Sequence, residues 1–484
     1  MSLSDPAYLL FLSLVFVLHY LLRKGEPRRI LLLAASYFFY VQLSKSYVFL
    51  LLFVTCVTYF GAKLLRSREN DNKQGPRLFW LTATIIIAPL IVFKYLGAFP
   101  ALSFQGNLSS LAVPIGISFF TFAALGYLAD VYLGVIEPES SPTRVALFLA
   151  FFPLVSAGPI KRAGRFMPQM ELDADFSSER TITALRLIFV GLIMKVVFAN
   201  TLADPINAVY ANPGAVSPIE RLCATLFYPF YVYSDFGGYS LIAIGSAKLF
   251  GLEVRANFHQ PFLSATVPEF WRNWHISLSS WVRDYIFSPL RMGWRRYSNL
   301  GMAGALLVSF VVIGIWHGAK WGYLVFGAMH GAMVIVSAFT LSWRDKFWAR
   351  TGIPDWVVRV PRVITTFSLV TLTYVVFRAD SLSQAMQIYQ AVFSLGPFRD
   401  LATILSSLLH HHVDTAAFGT LKGFVLCSWT IPCLVAGDIL ARRKIVFEKI
   451  PAIVQVAGYN YGLLLILAEW LTHYGTQPFV YYKF

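Results

Sequence analysis

Two histidines in this 484-residue chain stand where an ionisable ring needs explaining. His317 lies in GIWHGAKWGYLVFGAMHG, with Trp316 before it, Gly318 after it and apolar runs on both sides. His275 lies in TVPEFWRNWHISLSSWVRDYIFSPLRMGWRRYSN, at 266–299, a stretch too polar to span a bilayer and too rich in Trp, Phe and Tyr for a plain loop. An ionisable side chain at membrane depth is costly, so by default it marks a site. A neutral imidazole in a water-poor place suits a general base that takes a proton from a sugar or alcohol hydroxyl. The same position also suits a histidine that only hydrogen-bonds between helices, and residue type alone leaves both roles open for His317.

The 266–299 segment reads as an interfacial helix, opened by Thr266 or Pro268 and ended by Pro289. Within it Arg272, His275, Ser279 and Arg283 follow at spacings of three, four and four, which predicts one shared polar face. Phe270, Trp274, Leu278 and Trp281 would line a neighbouring apolar face, with the Trp rings at headgroup level. Arg272 and Arg283 fit the phosphates of a bound donor and lipid headgroups equally well.

Asp130 in YLADVYLG and Asp235 in YSDFGGYS are the acids expected at membrane depth. Each would pair with a base, orient a histidine or hydrogen-bond within the bundle. His330 would lie roughly 20 Å from His317 along one unbroken helix, which gives it a structural part unless the helix breaks at Gly318. His410, His411 and His412 with Asp414 fit a solvated loop better than a metal cluster, because consecutive side chains point apart. His19, His259 and His473 have no convergent neighbours visible in the sequence.

What must position these residues is a membrane bundle. The chain is 57% hydrophobic and 13% charged, outside the range of soluble domains. Apolar stretches recur at about 7–22, 30–42, 47–65, 78–98, 111–129, 144–160, 182–199, 219–250, 301–316, 321–342, 361–377, 421–440 and 451–472. They predict ~11 transmembrane helices plus one or two re-entrant segments, in one membrane domain over 1–484. Extramembrane excursions are expected at 98–110, 135–143, 161–180, 200–218, 343–360 and 396–420, from their Pro, Gly, Asn, Asp and Ser clusters. None is long enough for a soluble catalytic domain.

The net charge of +15 sits in short segments between apolar runs, as topology requires, and does not call for nucleic acid. Both 23–29 and 63–77 read as cytoplasmic, two spans apart, which puts the N-terminus outside and makes the first span a retained helix. Lys161, Arg162 and Arg165, after GPI, point to a re-entrant segment. Cys56, Cys223, Cys427 and Cys433 have no CxxC spacing and read as small buried hydrophobes. The sequence holds no G-x-S-x-G, no G-x-x-x-x-G-K-[ST], no G-x-G-x-x-G and no H-E-x-x-H, which argues against a serine hydrolase, an ATP-driven pump and a zincin. A proton-relaying transporter would show internal symmetry, and none is visible.

FWRNWHISLSSWVRDYIFSPL and GIWHGAKWGYLVFGAMHG resemble the two signature blocks of the membrane-bound O-acyltransferase (MBOAT) family. LLLAASYFFY, VPIGISFFTFAALGYLADVY, FFPLVSAGPIKRAGRFMPQ, YPFYVYSDFGGYSLIAIGSAKLFGL and NFHQPFLS are similar to its bacterial branch, which includes alginate O-acetyltransferases and teichoic acid D-alanyl transferases. The resemblance implies an all-α integral membrane protein, a ring of tilted helices with re-entrant and interfacial helices around a central tunnel. It implies that His317 is the catalytic histidine and His275 the second polar position. A cytoplasmic acyl thioester, acetyl-CoA above all, would be the donor substrate, with no cofactor bound permanently. An exported polysaccharide such as alginate, or an extracellular or periplasmic partner that carries acetyl onward, would be the acceptor, at a bacterial cytoplasmic membrane. D-alanyl or another acyl transfer to teichoic acid, lipid or protein is the alternative. Asp235, Arg272, Ser279, Arg283 and Trp316 would line the donor or acceptor site. One departure stands out: RMGWRRYSN follows SPL where the alginate-type enzymes carry a Gly-Gly-Asn-Arg turn.

Overall fold

A computed structural model of the chain describes residues 1–67, 74–95, 113–409, 419–442 and 450–473. The histidine run at 410–412, Asp414 and the excursion at 98–110 lie outside the described residues. Every regular element among the described residues is a helix. Among the described residues eight helices are long and apolar enough to cross a membrane, and Pro6–Leu21 and Ile117–Tyr132 are shorter apolar helices. The protein is an all-α integral membrane protein.

The chain forms two compact units. The first gathers Met1–Leu192, Tyr239–Asn257 and Ser277–Ile286; the second gathers Ile193–Gly238, Phe258–Ile276 and Phe287–Phe484. In the first unit Val48–Ser67 packs against Gln74–Tyr95 and Ile117–Tyr132, while Glu26–Leu43 packs against Pro142–Ala150. The apolar run at 144–160 is not one span. It breaks at Phe151, ahead of Pro153, into Pro142–Ala150 and Phe152–Val155, with residues 147–155 buried throughout. Irregular backbone of this kind is tolerated at depth only where protein surrounds it.

The second unit is built on the hairpin of Ser298–His317 and Trp321–Thr351. Lipid tails give apolar side chains no reason to leave them, so helices in a bilayer associate best where small residues let the backbones approach. Here a Cβ on Gly314 would lie 2.2 Å from the Tyr323 carbonyl oxygen, and one on Gly327 would lie 2.4 Å from that of Phe310. Gly322 does the same toward Asp355–Arg378, where its Cβ would meet the Val376 carbonyl oxygen at 2.2 Å.

Several expected loops are helical. Helix continues through 200–211, so Ser178–Ala211 runs as one 34-residue helical stretch through Pro205. Trp321–Thr351 has 31 residues, about 46 Å at 1.5 Å per residue, longer than the ~30 Å hydrocarbon core, and its polar end SWRDKFWART continues the helix beyond the apolar run. The turn before Asp355 is confined to Gly352–Pro354. Gly396–Leu409 is likewise a helix. The four cysteines are free, and only Cys427 is buried; Cys56 and Cys433 are exposed on apolar helices, where a thiol meets lipid at little cost.

Candidate active site

The interfacial helix expected over 266–289 is broken at its centre. Thr266 does cap the first piece, its side chain accepting from the Glu269 N–H at 3.2 Å, but that helix, Val267–Asn273, ends before Trp274. His275 then takes a left-handed backbone, φ 44°, a conformation unusual for a residue with a side chain. The next helix, Ile276–Val282, begins at once, and the Asn257 side-chain oxygen accepts from both the N–H and the hydroxyl of Ser277 at its start. Pro289 does not end the segment. It sits in the first turn of Ser288–Gly293, where no N–H is needed, after the wide turn Arg283–Phe287.

The break dissolves the single polar face. Arg272 and His275 belong to the second unit, Ser279 and Arg283 to the first. Arg272 and Arg283 are exposed, and Arg283 pairs with its neighbour Asp284 at 2.9 Å. The apolar residues are packed inside the protein. Trp274 is buried between Phe258 and Phe270, with ring centroids 4.9 and 5.5 Å away. Trp281 stacks on Phe122 at 4.1 Å and donates from Nε1 to the Phe122 carbonyl at 2.9 Å.

The turn at His275 does deliver one thing: it turns the imidazole into the interior of the second unit. His275 is 1% exposed and His317 is 4% exposed. The Trp316 ring touches both, with centroids 5.7 Å from His275 and 4.9 Å from His317. Phe236 closes on His275 at 4.7 Å. Phe377, Tyr323 and Phe326 surround His317 at 4.9, 6.0 and 6.2 Å. His275 lies outside the candidate spans, and burial pushes its imidazole down to about 3, so the ring is neutral across physiological pH.

Helix geometry explains why His317 faces this box. It is the last residue of Ser298–His317, and Gly318 ends the helix with φ 152°, its N–H on the Ile315 carbonyl at 2.9 Å. A Cβ at Gly318 would come within 3.0 Å of the Tyr323 ring. The chain then restarts at Trp321 and returns antiparallel.

Asp235 lies in the π-helical turn Tyr233–Gly237 and forms a buried ion pair with Lys195, itself in the π-helical turn Ile193–Phe198. Single π turns inside α-helices recur at functional sites, and here two of them pack together. No motif marks Lys195; the signal for it is a lysine inside the apolar run GLIMKVVF. In the first unit Asp130 accepts from the Tyr285 hydroxyl at 2.6 Å, a hydrogen bond within the bundle.

Two histidine rings around one tryptophan, on the helix end and the helix break that carry the two sequence blocks, direct attention to the family. The sequence profile of the membrane-bound O-acyltransferases (MBOAT) matches residues 35–376. The chain belongs to this family. It is 31% identical over 86% of its length, and 78% of the relative's, to the probable alginate O-acetylase AlgI of Pseudomonas aeruginosa. It is 30% identical to the peptidoglycan O-acetyltransferase of Helicobacter pylori, over 75% of this chain and 73% of that one. With the teichoic acid D-alanyltransferase of Streptococcus thermophilus it shares 29% identity over 66% of this chain and 78% of that one. The protein is therefore an acyltransferase and a multi-pass membrane enzyme.

His330 has a different place in the acyltransferase. The Trp271 Nε1–H donates to its Nδ1 at 3.1 Å, so Nδ1 is the acceptor and Nε2–H donates to the Thr373 hydroxyl at 2.8 Å. Thr373 in turn donates to the Val370 carbonyl at 2.6 Å. Every polar atom of the ring is used in tying three helices together. Because the helix does break at Gly318, His330 is only one ring from His317, with Phe326 touching both at 4.5 and 6.2 Å, closer than an unbroken helix would hold it. Replacing His330 by Leu strands the Trp271 N–H and is expected to cost about 1–3 kcal/mol of stability, read as a lower melting temperature in detergent with the donor KM unchanged. A loss of turnover at an unchanged melting temperature would place His330 in the chemistry instead.

Among the described residues no three His, Cys, Asp or Glu side chains converge as metal ligands.

Proposed function

We propose that this acyltransferase moves acetyl from a cytoplasmic thioester, acetyl-CoA, for O-acetylation of an exported polysaccharide, in a bacterial cytoplasmic membrane. The observation that carries the reading is the 31% identity to an alginate O-acetylase across 86% of the chain, which exceeds the 66% matched by the teichoic acid D-alanyltransferase.

In the proposed step a His317 nitrogen takes the proton of an acceptor hydroxyl as the oxygen bonds to the thioester carbonyl carbon. The tetrahedral intermediate collapses, the carbon–sulfur bond breaks, and the thiolate leaves with the proton that the imidazolium returns. His317 ends a 20-residue helix, whose C-terminus carries partial negative charge and favours the imidazolium formed in mid-reaction. The neutral His275 imidazole, which also touches Trp316, is assigned to donate a hydrogen bond to the developing oxyanion. Arg272, exposed in the same unit, is assigned to the phosphates of the donor. Asp235 is given no contact with substrate, because its carboxylate already holds Lys195. Ser279 and Arg283 are assigned no step.

The test of the donor is a competition. The purified protein in nanodiscs, given acceptor-containing membranes, should consume acetyl-CoA and leave a D-alanyl thioester on its carrier protein intact. Preference for the D-alanyl thioester would move the reading to teichoic acid.

A further inference from the structure

Beside His317, on the side of Phe377 and Tyr323, the second unit buries polar groups that the reaction above does not use. Tyr210 and Tyr228 are 2% and 1% exposed, their rings are 6.1 Å apart, and neither hydroxyl has a hydrogen-bond partner among the described residues. A buried hydroxyl left unmet is uncommon and asks what it serves. Arg378 stands over the Tyr210 ring at 4.9 Å and acts electrostatically on the hydroxyls of Tyr210, Tyr228 and Tyr323.

The guanidinium donates once, to the Asn207 side-chain oxygen at 3.0 Å, and no carboxylate pairs with it among the described residues. The nearest acid in sequence, Asp380, is paired with Lys320 at 2.6 Å. Arg378 is half-buried, so four of its five N–H donors are open to solvent or to a bound group. The path back to the proposed base is short. Arg378 follows Phe377, whose ring is 4.9 Å from His317, and the Tyr228 ring reaches Phe377 through Tyr374 at 5.8 and 6.0 Å.

We propose that Arg378, Tyr210 and Tyr228 form a subsite for an oxyanion, a carboxylate or phosphate borne by one of the acyl-transfer substrates beside its reacting end. A planar cation held by an amide against the Tyr210 ring, with the Tyr228 ring 6.1 Å beyond and both hydroxyls unmet, matches that chemistry, since guanidinium grips planar oxyanions through parallel hydrogen bonds. The subsite rests on the transfer reading for its role and on its own geometry for the ligand class. Two substrates can supply the anion: an acidic sugar acceptor, or the nucleotide phosphates of the donor.

Equilibrium binding to the full protein in nanodiscs separates these sources without turnover. The probes are a labelled oligouronate, its carboxyl-reduced neutral counterpart and coenzyme A, each offered to wild type, Arg378→Ala, Arg378→Lys and Tyr228→Phe. Loss of one charge-assisted contact should weaken the anionic ligand about tenfold or more in Arg378→Ala, with Arg378→Lys intermediate and Tyr228→Phe weaker by a few-fold. Weaker binding of oligouronate but not of its neutral counterpart places the acceptor here; weaker binding of coenzyme A alone places the donor here. Unchanged binding of all three probes in folded Arg378→Ala, or no saturable binding of any probe by wild type, overturns the subsite. Wild-type binding that is lost in Arg378→Ala, together with an absence of acetyl transfer, would keep the subsite and sink the acetylation reading.

Discussion

Changing His317 to Gln should lower acyl-transfer turnover by about 10²–10⁴-fold while the protein still reaches the membrane and melts near the wild-type temperature. Glutamine keeps a polar, planar head against Phe377 and Tyr323, so the packing around residue 317 survives. What it removes is a nitrogen that can accept a proton and give it back. Because that loss is felt only as the hydroxyl attacks, the donor KM should hardly move and kcat should carry the whole effect. Steady-state kinetics on purified variants reads it. A rise in KM with kcat intact would return His317 to the bland role of hydrogen-bonding between helices.

The second large effect belongs to Lys195. Its pairing with Asp235 takes both charges out of water, at side-chain exposures of 5% and 1%. Removing one partner alone leaves a buried charge without its counter-ion, which costs about 3–5 kcal/mol. Lys195→Met is therefore expected to fall sharply in melting temperature and yield. Replacing both partners by apolar residues of similar size, Lys195→Met with Asp235→Leu, should recover most of that loss, since a well-packed apolar pair is often as stable as a buried ion pair. The recovered double variant is informative about function. If its turnover matches wild type, the pair only holds the two π-helical turns together; if it is folded yet inactive, the pair has a part in the reaction beyond stability.

The all-helical membrane architecture was legible because twenty-odd apolar residues in a row have few other fates, and Ser298–His317 and Trp321–Thr351 lie where the apolar runs at 301–316 and 321–342 put them. Helix ends were harder to read. Ser178–Ala211 passes through Pro205 as one helical stretch, where the Pro, Asn and Asp of 200–211 read as loop signals. The 266–299 segment shows the sharper failure. Its spacing of three, four and four fits one helix face, yet the left-handed turn at His275 cancels the periodicity, and nothing in the local pattern announces a positive φ at a histidine. His275 is beside Trp316 because of that break, by a route the spacing argument did not contain. Lys195 meets Asp235, and Tyr210 meets Tyr228 and Arg378, only through contacts between distant segments, which no short motif encodes.

The most direct test of the account is to follow label from the acetyl group of acetyl-CoA into alkali-labile ester. Membrane vesicles from the native host, lacking the gene and restored with either wild type or His317→Ala at equal protein levels, are the material. The account predicts ester label on the exported acceptor fraction with wild type and none above background with His317→Ala. Ester formation at the wild-type rate by His317→Ala, or none by wild type in the presence of acetyl-CoA, would contradict it.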